Sequence, residues 1–183
     1  KEFAVRDANG YVLGFGEGLV KALWTEAGQH VETPIERMRH VDAMERYGTD
    51  KPDLRFGLEL FDATEVFRGA EFSVTRAAIA AGGRVRGIRV PNGGGLSRKQ
   101  LDEIEAAAKS VGAGGLLRLK RAADTLEGPA AKFLPPGAAT QLGLADGDLC
   151  LLVAGPDHVS SPALDRARQE VARRMDLIRP GVN

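Results

Sequence analysis

The stretch "RYGTDKPDLRFGLEL", Arg46 to Leu60, concentrates fixed charge around one proline. Lys51, Pro52, Asp53 and Arg55 fall within five positions, just ahead of alternating apolar residues. Pro52 fixes its own φ and biases Lys51 towards an extended conformation, so the ammonium and the Asp53 carboxylate are presented with little freedom. A lysine held this way is a point charge suited to a ligand carboxylate or phosphate. A Lys–Asp–Arg salt-bridge cluster locking the end of a strand fits the same residues. The pattern alone does not choose between the two.

No other constellation makes a self-sufficient active site, and no catalytic residue is assigned. His30, His40 and His158 show no metal-ligand spacing with one another, so no metal site is expected. "GFGEGL" suggests a dinucleotide-binding turn, but after Gly14 and Gly16 the third glycine is needed at 19, where Leu19 stands. The serine-nucleophile and phosphate-loop motifs are absent. Carboxylates such as Asp102 and Glu105 read as a solvated helix face. The single cysteine, Cys150, lies in the apolar run "LCLLVAG" and reads as a buried, inert thiol.

The chain has 183 residues, 43% hydrophobic and 27% charged, which fits one globular core with an appended piece. Its longest apolar run is far too short to span a bilayer, and the first residues lack the order of a secretory signal. With one cysteine, these features point to the cytoplasm. Net charge is zero but unevenly spread: residues 84–121 carry nine basic and three acidic side chains. Such a segment could meet nucleic-acid phosphate, with Arg98, Lys99 and Lys109 as candidate contacts. It could equally be balanced by acidic neighbours in space.

Elements must position these residues. Helical spacing of Leu13, Leu19, Val20 and Leu23 predicts a helix from Asp7 to Ala27, despite glycines at 10, 14, 16 and 18. A short helix is expected over His40–Tyr47, stopped by Gly48. Strands are expected from Leu54 through "LRFGLELF", and at residues 71–77, 84–90, 115–121 and 148–155. The best-defined helix opens with Ser97 as N-cap and Gln100 three places later, a capping box, with Leu96 and Leu101 as a hydrophobic staple. Leu101, Ile104, Ala108 and Val111 form its apolar stripe, and Gly112 ends it. A final helix is expected from Ser161, with Pro162 in its first turn, to about Ile178, burying Leu164, Ala167 and Val171. Strands and helices without strict alternation predict an α+β fold: a two-layer antiparallel or mixed sheet with helices on one face, and a mainly helical N-terminal flank.

"RMRHVDAMERYGTDKPDLRFGLEL" resembles the stretch of bacterial-type aspartyl-tRNA synthetases where the catalytic domain hands over to its large insertion; Thr49 replaces the family's usual serine. "LSRKQLDEIEAAAKSVGAGGLLRLKR", "AKFL", "GDLCLLVAG" and "ALDRARQEVARRMDLI" follow in the family's order, so the likeness runs from residue 37 to 178. The resemblance implies a flanking catalytic-domain segment at 1–58, an insertion (GAD-type) α+β domain at 59–159, and a helix at 160–183 leading back to the catalytic domain. It also implies that Lys51, in the "DKPD" motif, reaches the side-chain carboxylate of aspartate, with Thr49 and Asp50 completing the rim.

The family's two arginine-bearing motifs, which hold ATP, are not in this sequence, and neither is its anticodon-binding barrel. The resemblance therefore implies a partial aspartate–tRNA ligase, inactive alone. It implies ATP and Mg²⁺ in the parent enzyme and none in this chain, tRNA as partner, a homodimeric parent, and no membrane. The first residue, Lys1, fits a piece of a longer chain. The alternative is a free-standing, non-catalytic tRNA- or protein-binding module.

Overall fold

The run Leu149–Gly155 (β7) shows how one strand builds two cores. Leu149, Leu151 and Val153 point to one face of the sheet, while Cys150 and Leu152 point to the other, and all five are buried. A strand apolar on both sides belongs in the middle of a covered sheet. The computed structural model describes residues 3–6, 12–30 and 37–178, in two compact units divided after Arg39.

The first unit holds an antiparallel hairpin, Phe3–Arg6 (β1) with Val12–Phe15 (β2), and a helix, Glu17–Glu26 (α1). This corrects the helix expected from Asp7: the helix starts only at Glu17, and residues 7–11 lie outside the described residues. The glycines at 14 and 16 precede it, where their cost in a helix interior does not arise. Gly28, at φ +74°, closes it.

The second unit runs from His40. It begins with His40–Tyr47 (α2), then Leu60–Asp62 (β3), Thr64–Arg68 (α3), Ser73–Ala80 (α4) and Arg84–Val90 (β4). Arg98–Lys109 (α5), Leu117–Ala122 (β5), Thr125–Glu127 (β6) and Ala138–Gln141 (α6) follow, then β7 and Asp157–Arg174 (α7). The sheet is antiparallel throughout, ordered β3-β4-β7-β5-β6, with Ile88 opposite Leu151 and Leu119 opposite Cys150.

The fold is α+β. The long helices α5 and α7 share one face through Ile104, Ala108, Leu164, Ala167 and Val171, against Leu60, Ile88, Val90 and Leu151. The short helices cover the other face, where Phe67, Leu142 and Leu144 meet Val85, Leu119 and Leu152. Burial pushes the Cys150 thiol up to about 12, so it stays protonated and unreactive at neutral pH.

The capping box forms: Ser97 Oγ accepts from the Gln100 N–H, and Gln100 Oε1 accepts from the Ser97 N–H at 2.9 Å. Leu96 and Leu101 both pack against the core. Gly112 turns out of the helix at φ +105°.

Three expectations are corrected. The alternating run from Leu54 forms strand only at Leu60–Asp62; before it the carbonyls of Asp53, Gly57 and Leu58 bond a buried arginine rather than a neighbouring strand. Residues 71–77 lie largely in α4: Ala77, Ala78 and Ala80 outweigh the β-branched Val74 and Thr75, and the Thr75 hydroxyl is absorbed by the Phe72 carbonyl at 3.1 Å. The last helix begins a turn before Ser161, at Asp157, whose carboxylate suits the positive end of the helix. Pro162 therefore stands inside α7, and Ser161 is free of a capping role.

Candidate functional site

The charged stretch at 46–59 is the end of α2 followed by a loop held down on α7. Tyr47 ends α2, and Gly48, at φ +76°, turns the chain into Thr49–Asp50–Lys51–Pro52. The Thr49 hydroxyl accepts the Lys51 N–H at 3.3 Å, a local turn that fixes the two together. Thr49, Asp50 and Lys51 thus share one turn. Lys51 and Asp50 are exposed and Thr49 is half-buried.

Beyond Pro52 the cluster divides. Arg55 pairs with Asp53 through both carboxylate oxygens, at 3.0 and 2.7 Å, and also donates its own N–H to Oδ1. That pairing holds the Asp53 carboxyl below the usual carboxylate range. The salt-bridge reading therefore applies to Asp53 and Arg55. Among the described residues Lys51 has no ion-pair partner, and its charge faces solvent.

The far side of the loop is closed by Arg46 and Tyr47. Arg46 forks onto Glu59 at 3.0 and 2.6 Å, and the Tyr47 hydroxyl donates to the same carboxylate at 3.3 Å. The Arg46 guanidinium holds Glu59 below its ordinary range, while burial raises the Tyr47 phenol.

Underneath lies Arg168 of α7, with no exposed surface. Its Nη2 donates to the carbonyls of Asp53 at 2.9 Å and Gly57 at 3.2 Å, and its Nε to that of Leu58 at 3.4 Å. Its guanidinium lies over the rings of Tyr47 and Phe56, 4.9 and 4.7 Å from their centroids. Asp165 stands 3.5 Å away on the same helix. Burial pulls the Arg168 pKa down, yet an arginine with such partners keeps its charge. Leu58 sits at φ +64°, a conformation that costs a non-glycine residue roughly 1–3 kcal/mol and persists only where surroundings enforce it.

A second buried arginine fixes α2. Arg86, on the same face of β4 as Ile88, donates to the Glu45 carbonyl at 2.6 Å and to Ser161 Oγ at 2.8 Å. Arg84 meets Glu45, Asp62 and Asp157 at 3.0, 3.3 and 2.8 Å. The groove nearest the loop, about 560 Å³ in volume, is lined by Leu54, Phe56, Glu59 and Arg89 among others. Lys51 does not line it.

The basic segment is largely neutralised within the fold. Arg84 and Arg86 are engaged as above, Arg118 bonds Asp102 and Glu105 at 2.9 and 2.5 Å, and Arg121 caps the Leu144 carbonyl. Lys109 pairs with Glu105 at 2.6 Å. Arg98 stays 94% exposed, 4.0 Å from Asp102, and Lys99 is exposed beside it. Arg98 and Lys99 share the first turn of α5, whereas Lys109 lies in its last, roughly 15 Å along the axis. Among the described residues no three metal-ligating side chains cluster, and no helix is long and apolar enough to cross a membrane.

Sequence reasoning missed Arg168, Arg86, Glu45 and Asp157. The available signal was positional: Arg168 stands four residues after Leu164 and three before Val171, on the buried stripe of its helix.

Residues 75–164 match the GAD domain family. Over 172 residues the chain is 40% identical to the aspartate–tRNA(Asp/Asn) ligase of Caldanaerobacter subterraneus subsp. tengcongensis, covering 91% of this chain and 29% of that protein. It is 41% identical over 169 residues to the aspartate–tRNA ligase of Limosilactobacillus reuteri, covering 90% and 28%. It is 42% identical over 175 residues to the aspartate–tRNA(Asp/Asn) ligase of Salinispora arenicola, covering 91% and 29%. The chain thus spans under a third of the length of these relatives. The chain is thus similar to the GAD domain family over residues 75–164 and resembles, along nine-tenths of its length, a segment of the bacterial-type aspartate–tRNA ligases.

Proposed function

We propose that the chain is part of an aspartate–tRNA ligase, the enzyme that joins L-aspartate to tRNA with conversion of ATP to AMP and diphosphate. The observation that carries this reading is the likeness to such ligases along nine-tenths of the chain. Residues 1–58 would belong to the catalytic domain, 59–159 to the insertion, and 160–183 to the return helix.

Lys51 would face the side-chain carboxylate of aspartate, with Thr49 and Asp50 beside it. The separation of roles within the loop supports this. Asp53 and Arg55 satisfy each other, which leaves the Lys51 charge for a ligand. ATP and Mg²⁺ would be held by the rest of the ligase, a cytoplasmic homodimer. Arg98 and Lys99 would approach tRNA phosphate, with Lys109 as a third contact. Cations in the first turn of a helix oppose its dipole at a cost of about 0.3–1 kcal/mol, a repulsion that a phosphate bound there would relieve. Lys109 is the weakest of the three, since Glu105 already pairs with it.

Aspartate-dependent exchange of pyrophosphate into ATP tests the division of labour. The intact ligase is expected to catalyse it and the 183-residue chain to give no signal above background. Exchange by the chain alone would contradict the assignment of ATP chemistry to the rest of the enzyme.

A further inference from the structure

We infer that Arg168 is a positioning residue for the aspartate rim, holding from inside the protein the loop that carries Lys51. This rests on the reading of Lys51 given above. The loop between α2 and β3 has no ladder of its own, so its carbonyls need partners from elsewhere. Arg168 satisfies three of them, at Asp53, Gly57 and Leu58.

The guanidinium is held as firmly as what it holds. It lies over the rings of both Tyr47 and Phe56, and both residues are buried. On the same helix Leu164, Ala167 and Val171 are locked into the core. From the Asp53 carbonyl back to Lys51 there is one intervening residue, Pro52, whose φ is fixed near about −65°. The fork thus holds the backbone two residues from Lys51, with one torsion of that short link already fixed. Arginine suits this geometry: its planar fork presents donors in fixed directions to the carbonyls while its flat face lies over the rings, whereas an ammonium is a compact point charge with no fixed fork. A residue acting only through packing could be replaced by methionine of similar length. Here such a replacement leaves three carbonyls unpaired and frees the loop.

The test uses the intact ligase, with Arg168→Lys, Arg168→Met and Lys51→Ala compared by pyrophosphate exchange. Both Arg168 variants are expected to raise the aspartate KM by roughly 10- to 100-fold, the scale set by small misplacements of a binding group, while the ATP KM stays unchanged. Leu142→Ala, in the core on the opposite face of the sheet, controls for general destabilisation and is expected to leave the aspartate KM alone. An aspartate KM unchanged in both Arg168 variants, but raised by Lys51→Ala, overturns the inference. Should Arg168→Met fail to fold, Phe56→Leu removes one of the two rings and is read by the same criteria. If Lys51→Ala leaves the aspartate KM unchanged, it is the reading of Lys51 that fails. Amide hydrogen exchange in the 183-residue chain then decides the hold itself. Faster exchange over residues 53–58 in Arg168→Lys, with β7 unchanged, supports it, and unaltered exchange overturns it.

Discussion

Gly48 and Ser161 meet backbone to backbone. A Cβ placed on Gly48 would lie 2.9 Å from the Ser161 carbonyl carbon, and Gly48 itself sits at φ +76°. This contact lets α2 end directly on α7, so that the loop bearing Lys51 starts from a fixed point. Gly48→Ala adds both a steric overlap and a left-handed conformation, and is expected to lower stability by about 1–3 kcal/mol. Urea unfolding of the chain followed by circular dichroism measures it.

The capping box of α5 is open to a cleaner substitution. Ser97→Ala removes the acceptor for the Gln100 N–H and is expected to cost about 1 kcal/mol, whereas Ser97→Asp keeps most of the stability. The midpoint of urea unfolding distinguishes the three proteins.

Much of this was readable in advance where signals are local. The capping box, the stripe on α5 and the strands at 84–90, 117–122 and 149–155 depend on neighbours in sequence, and the structure has them close to where spacing put them. The site was not local. Leu54, Phe56, Leu58 and Leu60 alternate like a strand, yet Phe56 covers an arginine over a hundred residues away and Leu58 adopts positive φ. The charge balance of residues 84–121 gave the sign of the segment and hid its partners, since Glu45 and Asp157 lie outside it. Lys51 stood out because proline and charge coincide there. Arg168, which bonds the carbonyls of the following residues, reads as one more basic residue in "DRARQE".

The ion cluster around Arg84 makes stability depend on acid. Hydrogen bonds from Arg84 depress the Glu45 and Asp157 carboxyls below their ordinary values of 4.5 and 3.8. A carboxylate depressed in the folded state contributes stability that is fully present above its unfolded pKa and is lost as pH falls through the folded one. Thermal midpoints are therefore expected to hold down to about pH 5 and to fall below it, and Glu45→Gln is expected to make that fall shallower.

The proposed tRNA contact would separate Arg98 and Lys99 from Lys109. Fluorescence anisotropy with an aspartate tRNA transcript is expected to show affinity that falls steeply with salt. Arg98→Ala and Lys99→Ala are expected to weaken binding and reduce the salt slope by roughly one each. Lys109→Ala is expected to do less. No binding at low salt would contradict this contact and leave α5 a surface without nucleic acid.

Whether Lys51 meets the substrate carboxylate is tested most directly by the aspartate KM of Lys51→Ala in the intact ligase. Loss of a charge-assisted hydrogen bond of about 1.5–3 kcal/mol is expected to raise that KM by roughly 10- to 100-fold, with the ATP KM unchanged. An unchanged aspartate KM, or an equal rise in both constants, would contradict the account.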